Sequence, residues 1–394
     1  MGENSSIEAG SARAVDLRHR LHRIPELSYE EHQTARTIRA ELTELGIEHI
    51  DGVADASTAT ICLIGDPSKP CVALRADIDA LPILEQTGLP YASIHPGRMH
   101  ACGHDGHSAT LVGTAATLAA IQGELAVCVK LIWQPAEEGG GGAERLVKAG
   151  VLDGRLGPRV RAVFGLHGWP GLPVGCVATK PGPLLAATDI FKVTFLGKGC
   201  HGAFPHFGLD PIVVACEAVV NLQQIASRDI DPTEPVVVTV GMIRGGTATN
   251  IIPDEAVIEG TTRTLAESVR KFVRSAVDRR CNAIAAAAGC TARIEWTPGY
   301  PATVNDPEMA DYVARISRQV LGADRFIPAA RPSMGGEDFA YYLQEVPGCF
   351  FLLGVEPSGQ RGYHSLHSDR YDFTDAAIPI GIRLFTELVR HFPV

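Results

Sequence analysis

The densest group of potential metal ligands lies in residues 99–107, where three histidines, one cysteine and one aspartate fall within eight residues. Imidazole and thiolate groups bind zinc-like cations, and an aspartate can either bind a cation or orient a histidine. The segment follows a predicted strand region and opens a predicted helix. The density of ligands favours a metal site over a polar loop with one buried histidine.

A second group follows a predicted buried strand. Glu137 and Glu138 stand side by side, and four glycines follow at 139–142. The carboxyl ends of parallel strands are where open α/β folds place their sites. Adjacent carboxylates repel each other unless a cation lies near them. One of the two could therefore bind a metal while the other takes a proton, although a lone Glu-Glu pair in a turn is more often solvated.

Two further histidines complete the pattern. His167 closes an apolar strand, and His367 lies in a polar loop before the last predicted helix. Each alone would be assigned a structural role. If the four separated pieces converge on one sheet edge, they suit a two-metal site, in which about five ligands hold two ions ~3.5–4 Å apart.

Residues 186–298 carry a separate set of polar candidates. His201 and His206 lie in a glycine-rich loop after a strand, Asn250 follows a second glycine-rich run, and Arg263 ends a strand. Their side chains suit an oxyanion and a carboxylate better than a metal. Solvent-facing polar residues would give the same pattern, and composition does not separate the two interpretations.

The elements that must position these residues follow a recognisable order. Strand-like runs alternate with helical segments in residues 1–185 and 299–394, which predicts an α/β domain with a mainly parallel sheet covered by helices. Residues 186–298 follow the order β-α-β-β-α-β, which predicts a ferredoxin-like α+β domain. We therefore predict a discontinuous first domain with the second domain inserted into it.

Composition and charge exclude several classes of function. The 394 residues are 45% hydrophobic and 20% charged, as in ordinary globular proteins. Lys and Arg number 35 against 45 Asp and Glu, and the net charge of −10 disfavours nucleic-acid and membrane partners. Ten cysteines without C-x-x-C spacing and a polar N-terminus without a signal-like apolar run predict a cytoplasmic protein.

The chain resembles the two-metal aminoacylases related to carboxypeptidases. The most similar branch contains hippurate hydrolase, N-acyl-amino-acid amidohydrolases and plant indole-acetyl-amino-acid hydrolases. The resemblance runs from Leu17 to Phe392 and rests on eight motifs in the right order: His22–Leu27, Leu74–Pro82, Cys102–Asp105, Gln134–Gly139, Gly199–His206, Asn250–Asp254, Met334–Phe339 and Leu366–Ser368.

The resemblance implies a full set of roles for the first domain. Glu137 would be the general base, and two divalent ions (Zn, Mn, Co or Ni) would be the cofactors. Asp77 resembles the residue that orients a metal-bound histidine in related branches, although Arg75 stands here in place of that histidine. The implied metal ligands are Cys102, His104, Glu138, His167 and His367.

For the inserted domain, the resemblance implies a lid that also forms a homodimer or a higher homo-oligomer. His201 would stabilise the oxyanion, at the site of the neighbouring subunit. Asn250 and Arg263 would contact the scissile carbonyl or the substrate carboxylate. His206, and Gly336 in the returning part of the first domain, are further candidate contacts. Gly202 stands where the family pattern has alanine.

The function implied is metal-dependent hydrolysis of the amide bond of N-acyl amino acids. A metal-activated water, with Glu137 as base, would release a carboxylic acid and a free amino acid. A dipeptidase on the same site is the first alternative, because the acyl-side pocket cannot be read from one sequence. A non-catalytic metal-dependent binding protein is a second alternative, but a binder has no use for a base beside its ligands.

Overall fold

The chain divides into two compact units. A computed structural model describes residues 3–357 and 362–393. Unit 1 comprises Met1–Leu184, Val304–Arg331 and Asp338–Val394, and unit 2 comprises Leu185–Thr303 and Pro332–Glu337. The sequence predicts boundaries after residues 185 and 298, whereas unit 2 also takes in the short segment Pro332–Glu337.

Unit 1 contains an eight-stranded sheet within the described ranges. Its strands are β1 (His49–Val53), β2 (Ala56–Ile64), β3 (Cys71–Asp77), β4 (Cys128–Gln134), β5 (Val160–Pro173), β6 (Val177–Thr179), β15 (Phe326–Pro328) and β16 (Gly348–Glu356). They lie in the order β1-β2-β4-β3-β5-β16-β6-β15. The central strands β4, β3, β5 and β16 are mutually parallel, whereas β1, β2 and β4 pair antiparallel, as do β16 and β6.

Continuous burial explains why the central strands form. Every residue of β3 and of β4 is buried, so both faces of the sheet are covered there. Strands covered on both faces need runs of apolar residues rather than alternation. The expected mixed α/β architecture with a mainly parallel sheet is therefore confirmed. Two short strands, β7 (Gly182–Leu185) and β14 (Thr303–Asn305), lie where the chain passes between the units.

The described helices of unit 1 are α1 (Glu3–His22), α2 (His32–Glu44), α3 (His104–Ala120), α4 (Gly142–Ala149), α7 (Pro307–Leu321), α8 (Ala340–Glu345) and α9 (Ile378–Arg390). Helices α1, α2 and α9 pack against α3. Two glycines let neighbours approach α3 closely, because a Cβ at Gly106 would clash with the Phe373 ring and one at Gly113 with Ile382. Among the residues described, no helix combines the length and the apolar character needed to cross a bilayer.

A buried ionic cluster ties α1 to the start of α3. Arg18 Nε donates to Asp105 Oδ2 at 3.0 Å, and His22 Nδ1 lies 2.8 Å from the same oxygen. All three side chains are excluded from solvent. The cluster fixes the first turn of α3, which also carries His104. Its outer members are Glu85, Tyr91, Asp372 and Asp375.

Unit 2 contains a four-stranded antiparallel sheet and two long helices. The sheet strands are β8 (Ala187–Leu196), β10 (Val236–Gly245), β12 (Glu255–Thr264) and β13 (Thr291–Pro298), in the order β10-β12-β8-β13. The helices are α5 (Pro211–Gln224) and α6 (Glu267–Ala287), and two-residue strands β9 (Cys200–His201) and β11 (Ile251–Ile252) pair separately. Phe191, Val193 and Phe195 of β8 face the two helices and form the core of this unit.

The cluster predicts a pH-dependent contribution of His22 to stability. Burial alone would lower its pKa, but the Asp105 carboxylate reverses this and raises the pKa of His22 to about 9. Since the folded value lies above the ordinary 6.5, this contribution is fully present below pH 6.5 and is lost as pH rises through 9. The groups facing the ring are Asp105, Glu85, Arg18, Tyr91 and His100.

We expect His22→Gln to destabilise the protein by on the order of 2 kcal/mol more at pH 6 than at pH 9.5. Denaturant unfolding of the wild type and the variant at both pH values measures the difference, and groups that titrate in both proteins cancel. Asp16→Asn, on the exposed side of α1, is the control and should show no such change. An equal His22→Gln effect at both pH values would contradict the assignment.

Candidate metal centre

The candidate metal ligands of unit 1 come from chain segments that end near one another. β3 ends at Asp77, β4 leads into Glu137 and Glu138, and His167 lies in β5. Because these strands are parallel neighbours, their carboxyl ends lie at the same edge of the sheet. Cys102 and His104 flank Gly103, whose left-handed φ of 86° turns the chain into α3.

Four overlapping sets of described side chains within unit 1 lie close enough to hold cations. In each set the ligand atoms lie within 4.8 Å of one another, and the sets are Cys102–His104–His167, Cys102–Glu138–His367, His104–Glu137–Glu138 and Asp77–His104–His107. Cys102 Sγ is 3.4 Å from His167 Nε2, and His367 Nε2 is 3.1 Å from Glu138 Oε1. The structure therefore brings together the five side chains proposed as ligands and the proposed base.

The histidines present their Nε2 atoms to this centre. His167 Nδ1 donates to the backbone oxygen of Gly168 at 2.8 Å, and His104 Nδ1 lies 3.2 Å from an oxygen of Asp79. His104 Nε2 is buried without a hydrogen-bond partner among the described residues. A histidine that donates through one nitrogen has the lone pair of the other free for a metal. The donor set of thiolate, imidazole and carboxylate fits divalent cations such as zinc.

The electrostatics of the cluster also favour a bound cation. Burial, followed by the Glu138 and Glu137 carboxylates, raises the pKa of the Cys102 thiol well above its ordinary value. A thiolate is therefore unfavourable here unless a positive charge lies beside it, and a bound cation supplies that charge. Burial, then His107, lowers the pKa of His167, which keeps the imidazole neutral as a metal ligand requires.

The backbone around His367 and Glu137 is held in an uncommon conformation. His367 has φ 64° and Ala136 has φ 56°, both in the left-handed region that residues with a Cβ rarely adopt. The His367 amide donates to the Ala101 oxygen at 2.9 Å, and the Ala136 amide donates to Glu31 Oε1 at 2.9 Å. Such strain persists only where surrounding contacts fix it, and it concentrates at functional sites.

The general-base candidate has its own support. Glu137 is only 6% exposed, and the amide of Asp338 donates to its Oε1 at 3.4 Å. Asp338 is in turn fixed by Gln134 and by the amide of Ala143. The carboxylate is thus oriented next to Glu138 rather than free in a solvated turn.

Three polar residues of the 99–107 segment do not join the candidate sets containing Cys102. Asp105 binds Arg18 and His22. His107 uses both ring nitrogens, because Nδ1 lies 2.7 Å from Asp77 and Nε2 accepts from the Gly168 amide at 2.7 Å. His100 is fully buried, and burial lowers its pKa to about 4, so it is neutral.

Asp77 and Arg75 form a buried pair beside the centre. Asp77 Oδ2 accepts from Arg75 Nη1 at 2.7 Å, and the same oxygen lies 3.8 Å from His104 Nε2. The Arg75 guanidinium also donates to Asp338 Oδ1 at 2.9 Å. Arg75 therefore places a permanent positive charge between two buried carboxylates.

Sequence reasoning assigned no role to three carboxylates that hold this region. Asp79, Glu31 and Asp338 accept hydrogen bonds from backbone amides of residues 136–143. Asp79 and Asp338 lie inside motifs that carry the family resemblance, and that position was the only available signal.

The candidates of unit 2 form two separate groups. In the first, His201 and Ile251 are paired between β9 and β11, and the Gly202 amide donates to the Asn250 oxygen at 2.7 Å. A Cβ at Gly202 would lie 3.0 Å from that oxygen, which explains why glycine suits this position. His206 is exposed three residues beyond Ala203.

In the second group, Arg263 and Thr188 are register partners in the sheet, and a Cβ at Gly336 would lie 2.5 Å from Thr188 Cγ2. Arg263 and Gly336 thus flank the same threonine. The Arg263 guanidinium is half-buried and, in the part of the chain that the structure describes, forms no ion pair. A guanidinium in that state is suited to an anionic ligand.

Known proteins share this sequence and fold. The sequence profile of peptidase family M20/M25/M40 matches residues 73–391, most of the chain. The chain belongs to that family. The N-acetyl-L-cysteine deacetylase of Bacillus subtilis strain 168 is 43% identical over 364 residues, which are 92% of this chain and 84% of the relative.

Two further matches extend the comparison. An IAA-amino acid hydrolase of Arabidopsis thaliana is 37% identical over 382 residues, which are 96% of this chain and 85% of the relative. The crystal structure of a dinuclear metal binding peptidase of the M20 family from Bacillus subtilis has a TM-score of 0.83 and 38% identity, with 97% of this chain and 98% of that chain covered. The predicted family and the prediction of a hydrolase are confirmed.

Removal of the thiol should weaken metal binding. We expect Cys102→Ala to lower the affinity for Zn²⁺ or Mn²⁺ by about 100-fold, since loss of a supporting contact alone costs about 10–100-fold. Metal per chain after dialysis, measured by plasma mass spectrometry, reports the loss. Cys62→Ala is the matched control, because Cys62 is also buried but belongs to no candidate set. Equal metal content in Cys102→Ala and wild type would exclude Cys102 as a ligand.

Proposed function

We propose that the protein hydrolyses the amide bond of N-acyl amino acids and releases a carboxylic acid and a free amino acid. The observation that carries the proposal is the placement of Glu137 within ligand distance of Glu138 and His104, at the edge of a five-residue set suited to two cations. A hydrolase of this kind needs metal ligands and, separately, a base. The names of the deacetylase and the IAA-amino acid hydrolase support an N-acyl amino acid as substrate.

The metal pair would be held by the five side chains described above. The chemistry that such a pair would supply is polarisation of a carbonyl and a lower pKa of a bound water, which a single zinc lowers to about 7. Zn, Mn, Co and Ni all suit a donor set of one thiolate with imidazoles and a carboxylate, and affinity order alone does not select among them.

Glu137 would move the proton. Its carboxylate accepts a proton from the water as the water oxygen attacks the amide carbon. The same carboxyl group then returns that proton to the amide nitrogen, so the carbon–nitrogen bond breaks and a neutral amine leaves. The Asp338 amide at 3.4 Å keeps Glu137 Oε1 oriented during both transfers.

The unit 2 residues would bind the substrate. The Ala203 amide donates to His201 Nδ1 at 3.1 Å, so the ring proton lies on Nε2 and can be donated to an oxyanion. Arg263 is half-buried and forms no salt bridge among the described residues, although the Asp189 carboxylate acts on it electrostatically. Its guanidinium would pair with the free α-carboxylate, with Gly336 leaving room beside it. Asn250 and His206 would make further polar contacts.

A dipeptidase working through the same residues is the second candidate. It would use the same base and the same carboxylate contact. The similarity to the dinuclear metal binding peptidase supports this second candidate. A non-catalytic binding protein is disfavoured, because it needs metal ligands but has no role for a base such as Glu137.

Unit 1 would be the catalytic domain, and unit 2 a ferredoxin-like lid that also forms a homodimer. The first support is the β-α-β-β-α-β order of the unit 2 elements. The second is an open edge, because β10 ends the sheet and exposes Met242 and Ile243. Apolar side chains of α5, among them Val220 at 71% exposure, continue this surface. The ten unbridged cysteines are compatible with a cytoplasmic location.

The function is tested by amino-acid release from a panel of hippurate, N-acetyl amino acids, an indole-acetyl conjugate and several dipeptides. Each substrate is offered to metal-loaded and to chelator-stripped protein. We expect metal-dependent release from at least one N-acyl amino acid. Release from dipeptides alone would favour the peptidase, and no release with any added metal would contradict both enzymes.

Glu137→Gln should retain the metals and lose most of its turnover, by about 10²–10⁴-fold, since it keeps the side-chain shape but cannot accept a proton. Steady-state rates together with metal content separate these two effects. Glu144→Gln, an exposed substitution on α4, is the control. Near-wild-type turnover in Glu137→Gln would exclude Glu137 as the base.

The homodimer is tested by sedimentation. Wild type should sediment at twice the chain mass of 41.9 kDa. Met242→Lys should shift the population toward monomer, because it places a charge on the apolar edge strand. Ile190→Lys on the inner strand β8 is the control, since Ile190 is 54% exposed but lies away from the sheet edge. A monomeric wild type would refute the proposal.

A further inference from the structure

Two cysteines lie opposite each other where two central strands of the unit 1 sheet begin. Cys71 is the first residue of β3 and Cys128 is the first residue of β4, and the two are register partners in this parallel pair. The Cys128 amide donates to the Pro70 oxygen at 2.9 Å, which holds the two strand starts together. Both thiols are free, and their residues are only 1% and 0% exposed.

We propose that Cys71 and Cys128 form a modification site, at which hydrogen peroxide converts the two thiols reversibly into a disulfide that locks β3 to β4. The pair is distant from the candidate metal centre, which lies at the carboxyl ends of the same strands. β3 is seven residues long, so at ~3.3 Å per residue its two ends are about 20 Å apart. The proposal therefore does not depend on the proposed function.

The strand geometry permits the bond. Neighbouring strands of a sheet lie about 4.7–4.9 Å apart, and a disulfide needs a Cα–Cα separation of about 4.4–6.8 Å. Register partners of a parallel pair point to the same face of the sheet, so neither strand has to slip or turn over. Ser68 and Ala126, in the loops that lead into the two strands, are exposed. Both cysteines thus lie at strand ends, where a small approach of the two sulfur atoms disturbs the sheet least.

The surroundings make one sulfur the better nucleophile. A hydrogen bond from the Cys71 thiol lowers the pKa of Cys128, and the Lys130 ammonium acts in the same direction against the effect of burial. The same contact between the thiols raises the pKa of Cys71. Lys130 Nζ is held in place because it donates to the backbone oxygens of Val151 at 2.6 Å and Pro158 at 3.0 Å. Since the thiolate is the form that peroxides oxidise, Cys128 is the attacking residue and Cys71 the resolving one.

The reaction balances without any group from the metal centre. The Cys128 thiolate attacks one oxygen of hydrogen peroxide, the oxygen–oxygen bond breaks, and the departing hydroxide takes up the proton that Cys128 released. Cys128 is then a sulfenic acid. The Cys71 sulfur attacks it, the sulfur–sulfur bond forms, and the hydroxyl group leaves as water with the Cys71 proton. Two thiols have lost two electrons and two protons, the peroxide has become two waters, and an external dithiol reverses the change by exchange.

The disulfide would stabilise unit 1. It closes the loop from Cys71 to Cys128, which contains α3, and a closed loop reduces the conformational freedom of the unfolded chain. Because both sulfur atoms are covered, oxidation requires a brief opening of the strand starts. We therefore expect it to be slower than oxidation of Cys216, which is exposed.

The experiment compares wild type with Cys71→Ser, Cys128→Ser and Cys62→Ser. The full chain is treated with hydrogen peroxide, its remaining thiols are alkylated, and non-reduced peptides are analysed by mass spectrometry. Cys62→Ser is the matched control, because Cys62 is also buried in this sheet but faces His49 and Leu131. We expect a Cys71–Cys128 linked peptide in wild type and in Cys62→Ser, and its loss after dithiothreitol.

The single variants separate the roles of the two sulfurs. Cys71→Ser removes the resolving thiol, so Cys128 should stop at the sulfenic acid and be trapped by dimedone. Cys128→Ser removes the attacking thiol, so Cys71 should remain a free thiol. In thermal unfolding, oxidised wild type should unfold at least about 3 °C above the reduced protein. Neither of these two variants should show that shift.

Absence of the linked peptide from wild type whose Cys216 has been oxidised would overturn the proposal, because the oxidised Cys216 shows that the peroxide was active. Linkage of Cys71 or Cys128 to a different cysteine would overturn it equally. A linked peptide without a rise in unfolding temperature would refute the locking of β3 to β4. If the serine variants do not fold, the linked peptide and the temperature shift of wild type decide by themselves. Amino-acid release is not measured, so failure of the proposed function leaves this test unaffected.

Discussion

A charge removed from water must find a partner, and the active end of unit 1 is organised around that constraint. Burying an unpaired carboxylate or guanidinium costs several kcal/mol, and removal of one partner from a buried pair costs about 3–5 kcal/mol. Arg75 and Arg18 are both fully buried, and each is surrounded by aspartates. These pairs fix the ends of β3 and α3 in position, and the ligands are attached to those ends.

The same constraint explains why the centre suits cations. Glu137, Glu138 and the Cys102 thiol crowd together more closely than their negative forms would tolerate alone. Arg75 pairs with Asp77 and Asp338 beside the cluster. A bound metal pair would supply positive charge on the side of the cluster that carries the proposed ligands.

Sequence patterns predicted the features that depend on residue type. They could not predict the features that depend on the direction in which a side chain points. The family and the mainly parallel sheet followed from motifs and apolar runs. His104 and His107 are both histidines and lie one helical turn apart. Both ring nitrogens of His107 are hydrogen-bonded in the protein interior. Only three-dimensional packing therefore distinguishes the role of His107 from that of His104. Asp79 and Glu31 accept hydrogen bonds from backbone amides. Every residue except proline has such an amide, so the types of the donating residues do not reveal these contacts. The composition of Pro332–Glu337 likewise gives no sign that this segment belongs to unit 2.

The position of β16 sets the order in which the protein can be assembled during synthesis. This strand lies in the middle of the unit 1 sheet, between β5 and β6, yet it begins only at Gly348, long after β5 ends at Pro173. While the ribosome makes the intervening chain, one edge of β5 has no neighbour, and an open apolar edge is prone to wrong pairing. The sheet strands β8, β10, β12 and β13 of unit 2 emerge within that interval. A chain that stops before residue 348 would therefore lose the centre of its sheet rather than its margin, and His367 with it.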